Sequence, residues 1–328
     1  MDAYNLPIVY FGLIVLSALV YAILDGYDLG VGMLLPMKNK AKRDRMLASI
    51  GPFWDANETW LVLIVGLLFI AFPKAHSLIL YHLYLPIFVM IVSLIVRGIA
   101  FDFRAKAKVT HRLHWDYAFK ISSAIAALSQ GYMLGRYIMA FDTSWQAYLF
   151  AALSSYGVAA AYFFIGATWL VLKTEGNLQQ SAVRWARYSG VAMFAGILTI
   201  CVVNPLVHQE VFLTWFSQPL HFIVPITCAV CYFVAHNALN KLPNSEDTYC
   251  SVPFFMAVGI FTCCAVGLAL SCFPYIVPHT MSIWQVASAS ESLAFLLVGA
   301  SVVIPTILIY TGYSYWVFRG KTKELSYN

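Results

Sequence analysis

The sequence predicts an all-α, polytopic membrane protein with nine transmembrane helices, and three observations carry that expectation. Apolar residues make up 61% of the chain and charged residues only 11%, whereas soluble domains carry about 25% charged residues. Apolar runs recur from one end to the other, and a run of roughly 17–25 residues is what a hydrocarbon core of about 30 Å demands. Lys and Arg alternate with those runs in a one-sided pattern. A soluble fold is excluded. The formal charge of +5 reports topology and needs no nucleic acid to explain it.

The first run, near 7–36, follows directly on Met1-Asp2-Ala3-Tyr4-Asn5. It lacks the basic stretch and the small-residue cleavage site of a removable signal, so it reads as a retained helix. Pro36 sits where it should stop. Pro52, after Gly51, opens the second run at 53–72, where its fixed φ suits a helix N-terminus. The remaining runs lie near 77–103, 115–138, 147–172, 186–207, 219–239, 251–274 and 292–318. Pro86, Pro225 and Pro305 fall inside runs and predict kinks. Ser288 and Glu291 have capping-box spacing, which assigns Glu291 to the backbone at the start of the ninth span. The connecting segments are too short to hold a folded module, so 1–328 is expected to be one membrane domain. No internal repeat at a fixed period is visible.

Orientation follows from the basic residues, because basic loops stay in the cytoplasm. Lys38, Lys40, Lys42, Arg43 and Arg45 follow span one; Arg104, Lys106, Lys108 and Arg112 follow span three. Lys173, Arg184 and Arg187 follow span five, Lys241 follows span seven, and Arg319, Lys321 and Lys323 end the chain. With nine spans, these 16 of the 20 basic residues share one side. The N-terminus is expected outside and the C-terminus in the cytoplasm.

Ionisable residues within the spans concentrate at one end of the sequence. Asp25, Asp28, Asp55, Glu58 and Arg97 fall in 1–104, whereas 105–328 is largely apolar. Each charge at a helix centre costs about 2.5–3.5 kcal/mol, so these five must face each other or water. Asp25 and Asp28 are three residues apart and share a stripe of the first helix with Tyr21 and Gly32; Asp55 and Glu58 repeat the spacing at the start of span two. In a nine-span topology all five lie in the cytoplasmic half, with Asp55 and Glu58 nearest the mouth and Asp25 deepest. Four acids and one arginine do not neutralise each other, so at least one acid holds a proton or sits in water. That is the makeup of a proton path open to the cytoplasm. A purely structural network, with Arg97 paired to an aspartate and the Asp55/Glu58 pair favoured by the helix dipole, is the competing explanation. Gly26, Gly30 and Gly32 are expected to let helices approach closely.

Haem ligation would need paired histidines on facing helices. Only His82, His221 and His236 fall within spans, while His76, His208 and His279 lie near the outer surface and His111 and His114 in a basic loop. No haem pair or metal site is expected in this chain. Cys228 and Cys231 form a C-x-x-C in an apolar span without a second such pair, and read as helix packing.

The segments Asp25-Gly-Tyr-Asp-Leu-Gly-Val-Gly32, Gly51-Pro-Phe-Trp-Asp-Ala-Asn-Glu-Thr-Trp-Leu61, Ala71-Phe-Pro73 and Arg97-Gly-Ile-Ala-Phe-Asp-Phe-Arg104 together resemble subunit II of the cytochrome bd-type ubiquinol oxidases. Thinner matches follow at Phe273-Pro-Tyr-Ile-Val-Pro278 and Ser282-Ile-Trp-Gln-Val-Ala-Ser288. The resemblance implies a subunit of a terminal oxidase in the bacterial inner membrane that reduces oxygen to water with quinol electrons. It implies a larger partner, subunit I, carrying haem b558, haem b595 and haem d together with the quinol site. Small single-helix accessory subunits and membrane lipid are further expected partners. Carried over, Asp55 would stand at the mouth of a proton channel, with Asp25 and Asp28 further in and Arg97 in the surrounding network. Ala56 stands where the family usually has glycine, and Gln285 where many members carry an acid, so no function is transferred to the latter segment. Two other classes share some of these features. A stand-alone proton-coupled secondary transporter would need polar residues in the later helices, and a haem-bearing dehydrogenase anchor would need the missing histidine pairs.

Overall fold

The structure, a computed structural model, describes residues 4–108, 111–207, 209–243 and 247–322. His208 and Lys323, both used in the sequence reading, lie outside the described residues. The chain is a bundle of long apolar helices, as expected of a polytopic membrane protein.

The first helix, α1 (Leu6–Leu34), ends where Leu35 turns extended ahead of Pro36. A short helix follows, α2 (Lys40–Ile50), in a stretch that the sequence reading treated as a basic loop. Its N-cap Asn39 accepts the Lys42 amide at 3.0 Å, and it buries Arg43, Met46, Leu47 and Ile50. Those positions are spaced i, i+3, i+4, i+7, the signature of one helix face, masked in the sequence by the surrounding lysines and arginines. At about 1.5 Å per residue α2 is only ~16 Å long, too short to cross a bilayer.

Helix α3 (Trp54–Ala71) and helix α4 (Pro73–Lys106) are separated by Phe72 alone. A helix that stops this sharply leaves carbonyls without partners. Ser288 supplies them, its Oγ donating to the Ile70 carbonyl at 2.6 Å and its amide to Ala71 at 2.9 Å. The Ser288/Glu291 capping box is therefore not formed.

Next come α5 (Arg112–Ile138), α6 (Trp145–Lys173) capped by Ser144, α7 (Gly176–Val207) and α8 (Gln209–Ser217). A 3-10 turn, Pro219–Phe222, leads into α9 (Ile223–Asn240) and then α10 (Val252–Cys272). An antiparallel hairpin of β1 (Tyr275–Val277) and β2 (Met281–Ser282) is the departure from an all-helical chain. Beyond it, α11 (Ile283–Val286) opens on a capping box made by Ser282 and Gln285, which gives Gln285 a structural task. The last helix, α12 (Ser290–Val317), has Ala289 at its N-cap and no side-chain cap.

Pro86 and Pro305 lie inside helices as expected. Pro225 instead occupies the first turn of α9, where a missing N–H removes no helical hydrogen bond. Pro205 lies inside α7, a position the sequence reading did not name.

Among the described residues, eight helical segments are long and apolar enough to cross a membrane: α1, α3, α4, α6, most of α7, residues 220–240, α10 and α12. The fourth expected span, α5, is 27 residues long but carries Arg112, Asp116, Lys120 and Arg136. It packs between α4 and α6 and against α1, burying Ser122, Ser123, Ser129, Gly131 and Gly135. A helix shielded by neighbours tolerates polar residues that a lipid-facing one does not.

Side-chain contacts define two ends of the bundle. At one end the basic segments meet: Lys120 donates to Leu35, Lys42 to Asn177, and Lys173 to Phe318, while Lys321 pairs with Asp247. At the other, Trp284 donates to the Tyr4 carbonyl, Tyr10 to Leu293 and Tyr137 to Ile276. Helix α5 thus runs from one end to the other.

Glycine decides the closest crossing. A Cβ on Gly166 of α6 would lie 2.6 Å from the Gly30 carbonyl carbon of α1, and one on Gly30 would strike the Tyr162 carbonyl oxygen. Only two glycines let these backbones touch.

Candidate functional site

Helices α1, α3 and α4 bring Asp25, Glu58 and Arg97 together. Arg97 is fully buried, and its Nη1 lies 2.7 Å from Asp25 Oδ1 and 2.7 Å from Glu58 Oε1. Asp25 is likewise sealed from the surface, while the Glu58 side chain retains 24% exposure. The guanidinium carbon also stands 5.7 Å from the centre of the Phe119 ring on α5. Buried charge survives only when it is paired and hydrogen-bonded, and here one cation joins a half-exposed acid to a sealed one.

Asp28, one turn beyond Asp25 on α1, is bound differently. Asn57 of α3 donates to its Oδ2 at 2.7 Å and also reaches the Tyr27 hydroxyl at 3.0 Å. The Tyr27 hydroxyl in turn shares a hydrogen bond with that of Tyr315 on α12. An aromatic wall closes this side, with Tyr27 stacked on Trp169 at 4.4 Å and Phe53 on Tyr315 at 4.4 Å. Asp25 Oδ2, Asp28 Oδ1 and Arg97 Nε and Nη2 are buried without a well-formed partner among the described residues. Such atoms cluster where internal water belongs.

Asp55 lies in the first turn of α3 and is exposed, apart from the Arg97 centre. Of the five residues singled out by sequence, the structure places Asp25, Glu58 and Arg97 in direct contact, holds Asp28 beside them through Asn57, and leaves Asp55 at the surface. Asn57, Tyr27 and Tyr315 were not singled out. An uncharged amide carries no burial penalty large enough to notice in a sequence, and Tyr315 sits in an apolar helix far along the chain. The later helices therefore contribute more than their lack of ionisable residues suggested.

A second ionic group lies near the basic end. Arg43 Nε is 2.6 Å from Asp116 Oδ2, Arg104 pairs with both Asp116 and Asp44, and Asp116 is fully buried. These arginines clamp α2 to the ends of α4 and α5, beyond acting as topology signals.

The histidines expected within spans each meet a separate aromatic side chain: His82 stacks on Phe141, His221 lies against Trp215, and His236 against Tyr232. Among the described residues no group of three or more His, Cys, Asp or Glu is arranged to hold a metal ion. Cys231 packs against Gly259, whose Cβ would stand 3.0 Å from the sulfur.

The family model for cytochrome bd terminal oxidase subunit II matches residues 6–318. The chain is 26% identical over 353 residues to cytochrome bd-I ubiquinol oxidase subunit 2 of Escherichia coli (strain K12), covering 93% of this chain and 92% of that one. It is 25% identical over 323 residues to cytochrome bd ubiquinol oxidase subunit 2 of Bacillus subtilis (strain 168), covering 92% of each. Among solved structures it matches a chain of the bd oxidase from Geobacillus thermodenitrificans with a TM-score of 0.72 at 17% identity, over 94% of this chain and 98% of that one.

Proposed function

The chain belongs to the cytochrome bd terminal oxidase subunit II family, and from that premise we propose that it carries protons from the cytoplasm toward the oxygen-reducing centre of a partner subunit. It is a subunit of a terminal quinol oxidase, a multi-pass bacterial membrane protein of the respiratory chain. The observation that supports the proton role is Arg97 bridging Glu58 and Asp25. A proton taken up at Glu58 can pass to Asp25 while Arg97 keeps both carboxyl groups in place. Asp55, exposed one turn before Glu58, collects protons at the mouth.

Family membership favours this reading over a stand-alone transporter. Haem is supplied in the complex for electron transfer, and the residues here do not fit it, since His82, His221 and His236 lie apart on separate aromatic contacts. We place haem b558, haem b595, haem d and the quinol site in subunit I.

The topology we assign has nine crossings, the eight apolar segments and α5, with the N-terminus outside and the C-terminus in the cytoplasm. The contacts of α5 with Leu35 at the basic end and Ile276 at the other support it. Subunit I is assigned to the outer face of α3 and α4. Glu58 opens on that side, one turn before Val62 of α3, which is 71% exposed. A bare carboxylate facing lipid would be costly, so protein is the favoured cover. Isolation of the complex through this chain from native membranes tests the assignment. A reduced-minus-oxidised spectrum showing haem b and haem d, with one larger partner, is expected; a colourless single chain would overturn it.

A further inference from the structure

Helix α12 is fastened to the rest of the chain near its two ends. Tyr10 donates to the Leu293 carbonyl close to its start, and beyond Ile304 the helix fully buries no described side chain. Its inner end is held by Tyr315 and by the residues that follow it. Phe318 closes the helix, and its carbonyl accepts from Lys173 Nζ at 2.7 Å. Further on, the Thr322 amide donates to the Lys173 carbonyl at 2.8 Å and Lys321 Nζ to the Thr174 carbonyl at 3.1 Å, while Lys321 also pairs with Asp247. Residues 318–322 thus form a strap across the end of α6.

The strap seats Tyr315. Its ring stacks on Phe53 at 4.4 Å and meets Trp169 edge-on at 5.9 Å. Phe318 meets Phe53 edge-on at 5.7 Å, and Lys173 Nζ lies over Trp169 at 5.1 Å. Phe53 and Trp169 are buried, Tyr315 is half-buried and Phe318 is exposed, so Tyr315 and Phe318 are the outer members of the stack. Behind Tyr315 come Tyr27 and Asn57, and behind them Asp28, which is fully sealed.

Hydrogen bonding makes this seal chemical as well as steric. Asn57 Nδ2 carries two protons, of which one goes to Asp28 Oδ2 at 2.7 Å and the other to the Tyr27 oxygen at 3.0 Å. That leaves the Tyr27 proton for the Tyr315 oxygen, and the Tyr315 proton for Asn57 Oδ1 at 3.5 Å. The three groups close a ring. Asp28 receives from it an amide hydrogen alone, which an amide does not hand on without leaving its stable form, so no proton arrives from this side. Asp28 Oδ1 and Asp25 Oδ2, one turn apart on α1, are buried without a well-formed partner among the described residues. A proton that did reach Asp28 would have Asp25 next to it.

We propose that Tyr315, latched by the 318–322 strap, is a stopper that closes a direct cytoplasmic approach to Asp28, so that protons enter past Glu58 alone. The inference rests on the reading of Glu58 and Asp25 as the proton route.

The test is a rescue in the intact complex, with the haem spectrum as the measure of assembly. Glu58→Gln is expected to slow quinol oxidase turnover about tenfold or more, and adding Tyr315→Ala is expected to raise it again several-fold, because water then reaches Asp28. Adding Tyr315→Phe, which keeps the ring on Phe53, restores nothing. If Tyr315 is purely structural, the Glu58→Gln/Tyr315→Ala double variant turns over no faster than Glu58→Gln alone, and that result overturns the inference. A second measurement reads the seal itself. A water-soluble carbodiimide with a labelled amine is expected to leave Asp28 unmodified in the parent and to label it in Tyr315→Ala, as located by peptide mass spectrometry, with exposed Asp55 as the internal standard. If Tyr315→Ala fails to assemble, Asp247→Asn with Lys321→Met, which loosens the strap and leaves the aromatic stack intact, takes its place in both measurements. An unlabelled Asp28 in the opened variant overturns the stopper. Normal turnover of Glu58→Gln by itself overturns the Glu58 route instead, and the labelling then decides the stopper alone.

Discussion

Arg97 Nη1 lies 2.7 Å from Asp25 Oδ1, with both side chains fully sealed from the surface. Asp25 comes from α1 and Arg97 from α4, so this contact is a statement about helix packing as much as about charge. Its second acid, Glu58, is also 2.7 Å away but partly open. The pair therefore marks the boundary between a surface that can exchange protons and an interior that cannot.

Arg97→Met leaves Asp25, Asp28 and Glu58 without their shared cation. Removing one partner of a buried ion pair costs about 3–5 kcal/mol, enough to reduce the yield of assembled oxidase severely. Arg97→Lys keeps the charge but replaces the rigid planar guanidinium, whose Nη1 sits between the two carboxylates, with a compact ammonium on a flexible stem. It is expected to assemble, as judged by haem content per unit of membrane protein, and to turn over more slowly than the parent.

The Asp116 group gives a contrast within one cluster. Asp116→Leu strands Arg43 and Arg104 in a buried site and is expected to destabilise the basic end by about 3–5 kcal/mol. Asp44→Asn touches the same Arg104 but sits 25% exposed, where an ion pair contributes about 0–1 kcal/mol. Thermal unfolding of the purified complex should show a clear fall for the first and little change for the second.

Gly166→Ala places a methyl group 2.6 Å from the α1 backbone at Gly30. Backbone cannot move aside as a flexible side chain can, so a cost of about 1–3 kcal/mol is expected. The effect should appear as a lower melting temperature. Gly12→Ala, on the same α1 but with open space around it, should be close to neutral.

The C-terminal segment offers a pH-dependent test outside the membrane. Lys321 pairs with Asp247, and Gln179 donates to the same carboxylate at 2.6 Å. Partial burial works against ionisation of Asp247, but the hydrogen bonds from Lys321 and Gln179 and the lysine charge outweigh it and hold the carboxyl below its usual range. The clasp is thus fully present above the ordinary aspartate value of about 3.9 and is lost as pH falls through the lower folded value. Protease access to the segment after Val317 should stay constant from neutral pH down to that region and then rise. Asp247→Asn should raise it already at neutral pH.

Much of this arrangement was legible in the sequence because membranes make charge expensive. Asp25, Glu58 and Arg97 could be expected to meet each other or water, since lipid permits nothing else, and apolar length marked the eight described segments that can cross a membrane. The rest was hidden for identifiable reasons. Helix α2 hides a four-residue apolar-facing stripe among basic side chains. Asn57 and Tyr315 are neutral, so only packing shows that Asn57 meets Asp28 and that Tyr315 joins them through Tyr27. Ser288 had the spacing of a cap, yet the break at Phe72 offered its hydroxyl better acceptors.

The central claim is that Asp25 carries protons, and Asp25→Asn tests it most directly. The substitution keeps size and leaves Arg97 with Glu58 at 2.7 Å, so the complex should assemble with its full haem spectrum. Proton uptake coupled to quinol oxidation, followed in the purified oxidase, is expected to fall about tenfold or more. Parent-like uptake and turnover with normal haem content would contradict the account and reduce the Arg97 centre to a structural ion pair.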